Sequence, residues 1–270
     1  MTNQSMFSVC EEIIVITGVS GQLGHEYAKA FLSEGAVVAG LDIKPSMEIQ
    51  ELEQLHPNSF HYFHADVTSL NSLGKALTSI EKKLGTPAVL INNAGLDSPP
   101  SSDTSQNGAF EDYPESSWDR VIDVNLKGVY LCCQVFGSAM ARAKKGSIIN
   151  ISSIYGLVSP DQSLYDYKRD EGKQFFKPIA YSASKSGILN ITRYLATYWA
   201  KENIRVNSLT LAGVFNHQDD QFLEAYCSRI PIGRMADPKE YNGCLLFLAS
   251  SASSYVTGSN LIADGGWTAI

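Results

Sequence analysis

The stretch EIIVITGVSGQLGHEYAKAFLSEGAVVAGLD, residues 12–42, carries the pattern that decides the fold. Its apolar opening, EIIVITG, reads as a buried strand, which then turns through glycines. A helix follows over 22–34, with Leu23, Tyr27 and Phe31 on one face, and Gly35 stops it. AVVAGLD is a second strand. Two strands joined through a helix lie parallel.

The alternation continues. MEIQELEQLH reads as a helix, FHYFHAD as a strand, 69–84 as a helix ending at Gly85, and PAVLINNAG as a fourth strand. Residues 114–143 are mostly helical, GSIINISS is a fifth strand, and 178–202 a long helix. IRVNSLT and SNLIADG are the last strands, with helices near 219–228 and 237–250 between them. This order predicts an α/β fold, a doubly wound parallel sheet with helices on both faces. A chain of 270 residues can bury one large core, so 1–270 is read as a single domain. Ligands of such sheets sit beyond the carboxyl ends of the strands. Two segments break the rhythm there: the Ser- and Pro-rich loop 96–113, and residues 156–177, longer than a connection needs.

A net charge of −7 argues against nucleic-acid or anionic-membrane partners. Lys82-Lys83 and Lys144-Lys145 read as solvated helix ends. No apolar run reaches membrane-spanning length, and the leader MTNQSMFSVCEE lacks a basic segment followed by an apolar one. A cytoplasmic protein is expected. Cys10, Cys132, Cys133, Cys227 and Cys244 are odd in number and show no C-x-x-C spacing, so buried free thiols are expected. His56, His61 and His64 suggest a metal, but the odd offset of the last two in a strand points them to opposite faces. No metal site is expected.

Gly18, Gly21 and Gly24 lie between a strand and a helix, where the backbone can approach a phosphate and the helix N-terminus offers unpaired N–H groups. Ser20, Gln22 and Leu23 belong to the same candidate dinucleotide turn; a tight structural turn is the other reading. Asp42 ends the second strand, where an acid can bond both adenosine ribose hydroxyls and repel a 2′-phosphate. NAD is therefore expected over NADP, although Lys44 is a nearby cation and a surface turn aspartate is the alternative. Asp66 either caps the next helix or bonds an adenine amino group, with Val67 beside the ring.

YSASK puts Tyr181 and Lys185 one helical turn apart on one face. A close ammonium would lower the phenol from its ordinary pKa of about 10. Tyr181 could then exchange a proton with an alcohol or carbonyl near neutral pH; an incidental Y-x-x-x-K is the alternative. Ser152 and Ser153 end the fifth strand, and Asn92, Asn93, Ala94 and Gly95 end the fourth. Asn125 lies inside the helical VNLKG, an unfavoured place for asparagine, which gives it a local role, structural or in a water relay.

TGVSGQLG, NNAG, VNLKG, IINISS, YSASK, IRVNSL and YVTGSNLIADGGW together resemble the short-chain dehydrogenase/reductase family over nearly the whole chain. The resemblance implies a Rossmann-like fold and an NAD(P)-dependent oxidoreductase moving a hydride between nicotinamide and a secondary alcohol or ketone. It implies a tetrad: Asn125 holding a relay water, Ser153 orienting the substrate oxygen, Tyr181 as acid/base, and Lys185, which also binds the nicotinamide ribose. It adds Asn93, Ala94, Gly95, Val214 and Asn216 to the cofactor set, and a homotetramer or homodimer to the assembly. T-G-x-x-G-x-x-G is the spacing of the extended branch, with its nucleotide-sugar epimerases and dehydratases. NNAG and a chain that ends soon after DGGW match the shorter branch instead. An epimerase or dehydratase with tightly held NAD, and a nonenzymatic NAD-binding sensor, are the rival readings.

The chain departs from the family pattern at Leu211-Ala212, where Pro-Gly is usual, and in the 28 residues from Ser153 to Tyr181. Tyr165 and Tyr167 inside 156–177 have no lysine four residues later. RYLATYWA, GVFNHQDDQFL, PIGRMA and this insertion resemble members from bacterial surface-sugar and flagellin-modification pathways. That implies a small, polar, sugar-like substrate; 156–177, starting three residues beyond Ser153 and ending four before Tyr181, is expected to form its lid or pocket wall. Tyr165, Tyr167, Phe175 and Phe176 would offer flat faces, while Lys168, Arg169, Lys173 and Lys177 balance Asp161, Asp166, Asp170 and Glu171. An outward loop for subunit contacts is the alternative.

Overall fold

The structure, a computed structural model, describes residues 5–97, 108–170 and 175–270. Most of the 96–113 loop and the insertion's Glu171 and Lys173 lie outside the described residues. The chain begins β1 (Ile13–Thr17), α1 (Gln22–Ser33), β2 (Val37–Asp42), α2 (Met47–Leu55), β3 (Phe60–His64), α3 (Leu70–Lys83) and β4 (Val89–Asn92). A long helix follows as α4 (Glu115–Ile122), α5 (Gly128–Cys132) and α6 (Ser138–Ala143), joined by π turns at Asp123–Lys127 and Cys133–Gly137. Then come β5 (Gly146–Ser153), α7 (Asp166–Asp170), α8 (Ile179–Tyr198), β6 (Ile204–Leu211), α9 (Asp220–Cys227), α10 (Asn242–Ala249) and β7 (Asn260–Ala263).

All seven strands pair in parallel, in the order β3-β2-β1-β4-β5-β6-β7. The winding reverses between β1 and β4, so the exits of these two strands lie side by side. A crevice opens at such a reversal. Both faces of the sheet are covered, which is why the strands read as continuous apolar runs. Ile14 and Ile16 of β1 pack with Tyr27 and Phe31 of α1 and Leu245 and Leu248 of α10. Val15, on the other face, joins Leu73 and Ile80 of α3 and Ile188 of α8. Each fully buried side chain of this size contributes about 1.5–3 kcal/mol.

A third apolar cluster ties the insertion to α9. Tyr165 meets Phe175 edge-on at 4.8 Å between ring centroids and stacks on Phe222 at 5.8 Å. Arg229 donates to Asp161 and to Ser163 Oγ, and Lys168 pairs with Asp219 at 3.0 Å. Over its described length the insertion therefore lies on α9 beside the strand ends.

Two expectations need correction, and one of the two readings of Asp66 falls. Only Cys132 and Cys133 are buried thiols; Cys10 is exposed, and Cys227 and Cys244 are half-buried. The helix expected over 237–250 opens as a 3₁₀ turn, Pro238–Tyr241, because Asp237 and Glu240 form a capping box there. Asp66 does not cap α3. Ser69 does, accepting from Ser72 N–H, while Asp66 Oδ1 accepts from the Thr68 amide and hydroxyl.

The turn between β1 and α1 is held by close backbone approach. A Cβ on Gly24 would lie 2.2 Å from the Gly18 carbonyl oxygen. Gly24→Ala should therefore push α1 off the turn and cost about 1–3 kcal/mol, as overpacking does. Urea unfolding measures this, and an unchanged midpoint with unchanged slope would contradict it.

Candidate active site

Thr17, the last residue of β1, sets the site's geometry. Its Oγ1 accepts from the amides of Asn93 and Ala94, both at 3.0 Å. The Asn93 side chain donates to the carbonyls of Thr17 at 3.0 Å and Gly18 at 3.2 Å. Gly18 adopts φ 67°, and a Cβ there would meet Ala94 Cα at 2.7 Å, so glycine is required on both counts. These bonds fasten the glycine turn to the exit of β4.

Beyond the strand ends runs a cleft of about 1190 Å³. Gly18, Gly21, Gln22, Leu23, Asp42, Asp66 and Val67 line one part, and Asn93, Ala94 and Gly95 the middle. Ser153, Tyr181, Lys185, Val214 and Asn216 line the rest. Gly24, Ser20 and Asn125 stand behind the wall. The Ser20 hydroxyl braces the β2–α2 loop at Lys44 O, and its amide donates to Asp42 Oδ2 at 3.0 Å. Ile43 N–H donates to Asp42 Oδ1 at 2.8 Å, so two amides pin this carboxylate at the end of β2.

The residues fit a dinucleotide. Gly21 is the N-cap of α1 and supplies no side-chain cap, leaving first-turn N–H groups for an anion at the cleft. A Cβ on Gly21 would make only an ordinary 3.5 Å contact within the protein. Unlike at Gly18 and Gly24, the room there belongs to the cleft. Gln22 donates from Nε2 to the Phe215 carbonyl at 2.8 Å. It thereby spans from the turn to the loop after β6.

Asn125 sits in the first π turn and is fully buried. Its Oδ1 accepts from Leu96 N–H at 2.7 Å; its Nδ2 donates to Leu96 O at 2.9 Å and Ser184 Oγ at 3.3 Å. The extra residue of a π turn redirects a side chain in this way and is common at functional sites. Asn125 thus braces the β4 exit against α8. Lys185 Nζ donates to the Ile151 carbonyl at 3.0 Å and lies 5.7 Å from the Tyr181 ring centroid. Ser153 lines the cleft together with Tyr181, and its Oγ accepts from Tyr155 N–H at 3.2 Å.

A family model described as enoyl-(acyl carrier protein) reductase matches residues 18–268. The NAD-dependent glycerol dehydrogenase of Listeria innocua is 32% identical over 97% of this chain and 96% of its own length. Sorbose reductase of Candida albicans is 30% identical over 97% of this chain and 89% of its own. A solved short-chain dehydrogenase from Leptospira borgpetersenii, with bound NAD+, is 34% identical and superposes with a TM-score of 0.85 over 99% of this chain and 97% of that one. The chain belongs to the short-chain dehydrogenase/reductase family. It is an NAD(P)-dependent oxidoreductase.

In this dehydrogenase the lysine does not dominate the phenol. Burial raises the Tyr181 pKa above its ordinary value, the Asp97 carboxylate adds to the rise, and only the Ser153 hydrogen bond pulls it back. The lowering anticipated from Y-x-x-x-K spacing is thus outweighed by desolvation, which penalises the phenolate. The same enclosure pushes Lys185 down to about 8, with Asp97 opposing.

Asp97, Tyr155 and Lys177 also line the cleft without having been singled out as site residues. Lys177 carried a signal, since it stands four residues before Tyr181 as Lys185 stands four after. Nothing local distinguishes Asp97 or Tyr155. Among the described residues, no group of three or more His, Cys, Asp or Glu could hold a metal ion.

The depressed Lys185 pKa has a stability consequence. Below about pH 8 the folded chain holds a desolvated ammonium; between 8 and 10.5 it sheds the proton while the unfolded chain keeps it. The wild type should therefore gain stability relative to Lys185→Met as pH rises across that window. The full change is about 3 kcal/mol, at 1.36 kcal/mol per unit. Paired denaturation curves from pH 7 to 10.5 measure it, and a constant difference would refute it.

Proposed function

We propose that this chain is an NAD-dependent dehydrogenase or reductase of a polyhydroxylated, sugar-like alcohol or ketone. The observation that carries the reading is the meeting of Ser153, Tyr181 and Lys185 in one cleft with the pinned carboxylate of Asp42. Bound nicotinamide supplies the hydride donor or acceptor. The residues of the chain hold the substrate and move the proton. Tyr181 donates its phenolic proton to the substrate oxygen in reduction and recovers it in oxidation. Ser153, in the same cleft as Tyr181, orients that oxygen. Lys185 brings its ammonium beneath the ring and holds the cofactor ribose, and Asn125 keeps the β4 exit in register with α8 and serves the relay water.

A fixed negative charge at Asp42 favours ribose hydroxyls over a 2′-phosphate, which supports NAD over NADP. Asp66, Val67, Asn93, Ala94, Gly95, Val214 and Asn216 complete the proposed cofactor contacts. A sugar-like substrate is supported by sorbose reductase and glycerol dehydrogenase among the relatives and by tyrosines 155, 165 and 167 on the cleft wall. A cytoplasmic location and a homotetramer or homodimer are proposed with it. Tyr194 and Tyr198, 64% and 65% exposed on α8, support an apolar subunit contact there, and light scattering showing a monomer would oppose it. Among the described residues no helix is long and apolar enough to cross a membrane.

Tyr181→Phe removes only the phenolic hydroxyl and should lower kcat by about 10² to 10⁴, the range of general acid–base contributions. NADH affinity, followed by fluorescence titration, should stay near the wild-type value and exceed NADPH affinity in both proteins. Substantial turnover in Tyr181→Phe, or a comparable loss in Tyr165→Phe alone, would refute the assignment of Tyr181. Tighter NADPH binding would refute that of Asp42.

A further inference from the structure

We propose that Asp97 and Lys177 form a hydroxyl-reading pair that selects a neutral polyol or ketose over acidic, phosphorylated or hydroxyl-poor substrates. This rests on the reading of the cleft as the site of an alcohol or ketone oxidoreductase and names its substrate class.

Lys177 is the last residue of the insertion and stands one helical turn before Tyr181. Its side chain is only 6% exposed, its Nζ is 4.9 Å from the centroid of the Tyr181 ring, and it lines the cleft. The insertion fixes its backbone: Gln162 Oε1 accepts from Lys177 N–H at 2.8 Å, and Gln162 Nε2 donates to Lys177 O at 3.1 Å. Such a long, flexible side chain is therefore anchored at its root. An ammonium this deep is costly without an opposite charge. Asp97, two residues beyond Gly95 at the β4 exit, supplies that charge in a direct ion pair.

The two partners meet the cleft differently. The Asp97 side chain is 54% exposed while Lys177 is enclosed, so the pair presents a carboxylate face outward with its ammonium behind. Asp97 is also electrically coupled to the site, raising the pKa of Tyr155, Tyr165, Tyr181 and Lys185.

The chemistry then selects the ligand. A carboxylate accepts at about four lone-pair positions and an ammonium only donates. A hydroxyl donates as well as accepts, so the hydroxyls of a polyol can bond the outward Asp97 carboxylate while the ammonium behind keeps its charge paired. A carboxylate or phosphate on the substrate would meet the outward face of Asp97 with like charge. An alcohol without further hydroxyls would take water from Asp97 and return nothing. Sites built to bond a hydroxyl reject analogues that lack it.

The test follows NAD+ reduction with glycerol, ribitol and sorbitol against gluconate, sorbitol 6-phosphate and cyclopentanol. The proteins are wild type, Asp97→Asn, Lys177→Met and Lys177→Arg, each checked for folding by thermal unfolding with NADH. Expected in wild type is a kcat/KM for the best neutral polyol at least about tenfold above the three comparison alcohols. Asp97→Asn and Lys177→Met should raise KM for that polyol more than they lower kcat, and should narrow its advantage over cyclopentanol. Lys177→Arg should restore part of the loss. A preference for gluconate or the phosphate, or equal losses on polyol and cyclopentanol, overturns the pair. If no alcohol is oxidised, the dehydrogenase reading fails on its own account, and saturation-transfer NMR of the polyols on the NADH complex decides about the pair. Transfer in wild type that is lost in Asp97→Asn supports it; no transfer, or the same transfer in both, overturns it.

Discussion

The chain exits β1 and β4 side by side, and Thr17, Gly18, Asn93 and Ala94 bind those exits together through partly buried hydrogen bonds. Each such bond contributes only about 0.5–1.5 kcal/mol, but leaving a buried group unpaired costs more. Their larger effect is geometric. With Gly18 touching Ala94, the N-terminus of α1, Gly95 and the Asn125 brace all take their positions from one contact. The cofactor end and the chemical end of the cleft are thus built on a single junction. A side chain at Gly18 would separate them.

Enclosure shapes the chemistry in two opposed ways. It keeps Tyr181 as a neutral phenol and brings Lys185 close to losing its proton at mildly alkaline pH. It also makes every polar partner there matter more, because water cannot replace a missing bond. Ser152 holds the Lys185 carbonyl at 3.0 Å, and Ser184 holds Asn125. Functional sites give up stability to keep such groups in place, and the desolvated ammonium is this protein's clearest instance.

Much of this was legible in the sequence because it is local. The apolar runs of β1 and β5, the glycine turn and the i, i+4 spacing of Tyr181 and Lys185 are short-range patterns, and the strands and helices fall within a few residues of expectation. The extended-branch glycine spacing misled less than it threatened to, since Gly18 and Gly24 still occupy the two positions where a Cβ would strike the turn. What stayed hidden depends on distant chain. The π turn at Asn125 answers to Leu96 and Ser184, and the direction of the Tyr181 shift answers to burial that no spacing reveals. Asp66 lost the helix cap to Ser69, a choice between two equally suited side chains decided by loop geometry. Cys10 is exposed although its neighbour Val9 packs into the core.

The bond from Gln22 to the Phe215 carbonyl joins two walls of the cleft that are 193 residues apart in sequence. It makes the chain a closed hoop at that point, with the glycine turn on one side and the loop after β6 on the other. The glycine turn and the loop after β6 thus keep their spacing across the cleft through one side-chain hydrogen bond. Glycine at position 22 would leave the two sides unlinked.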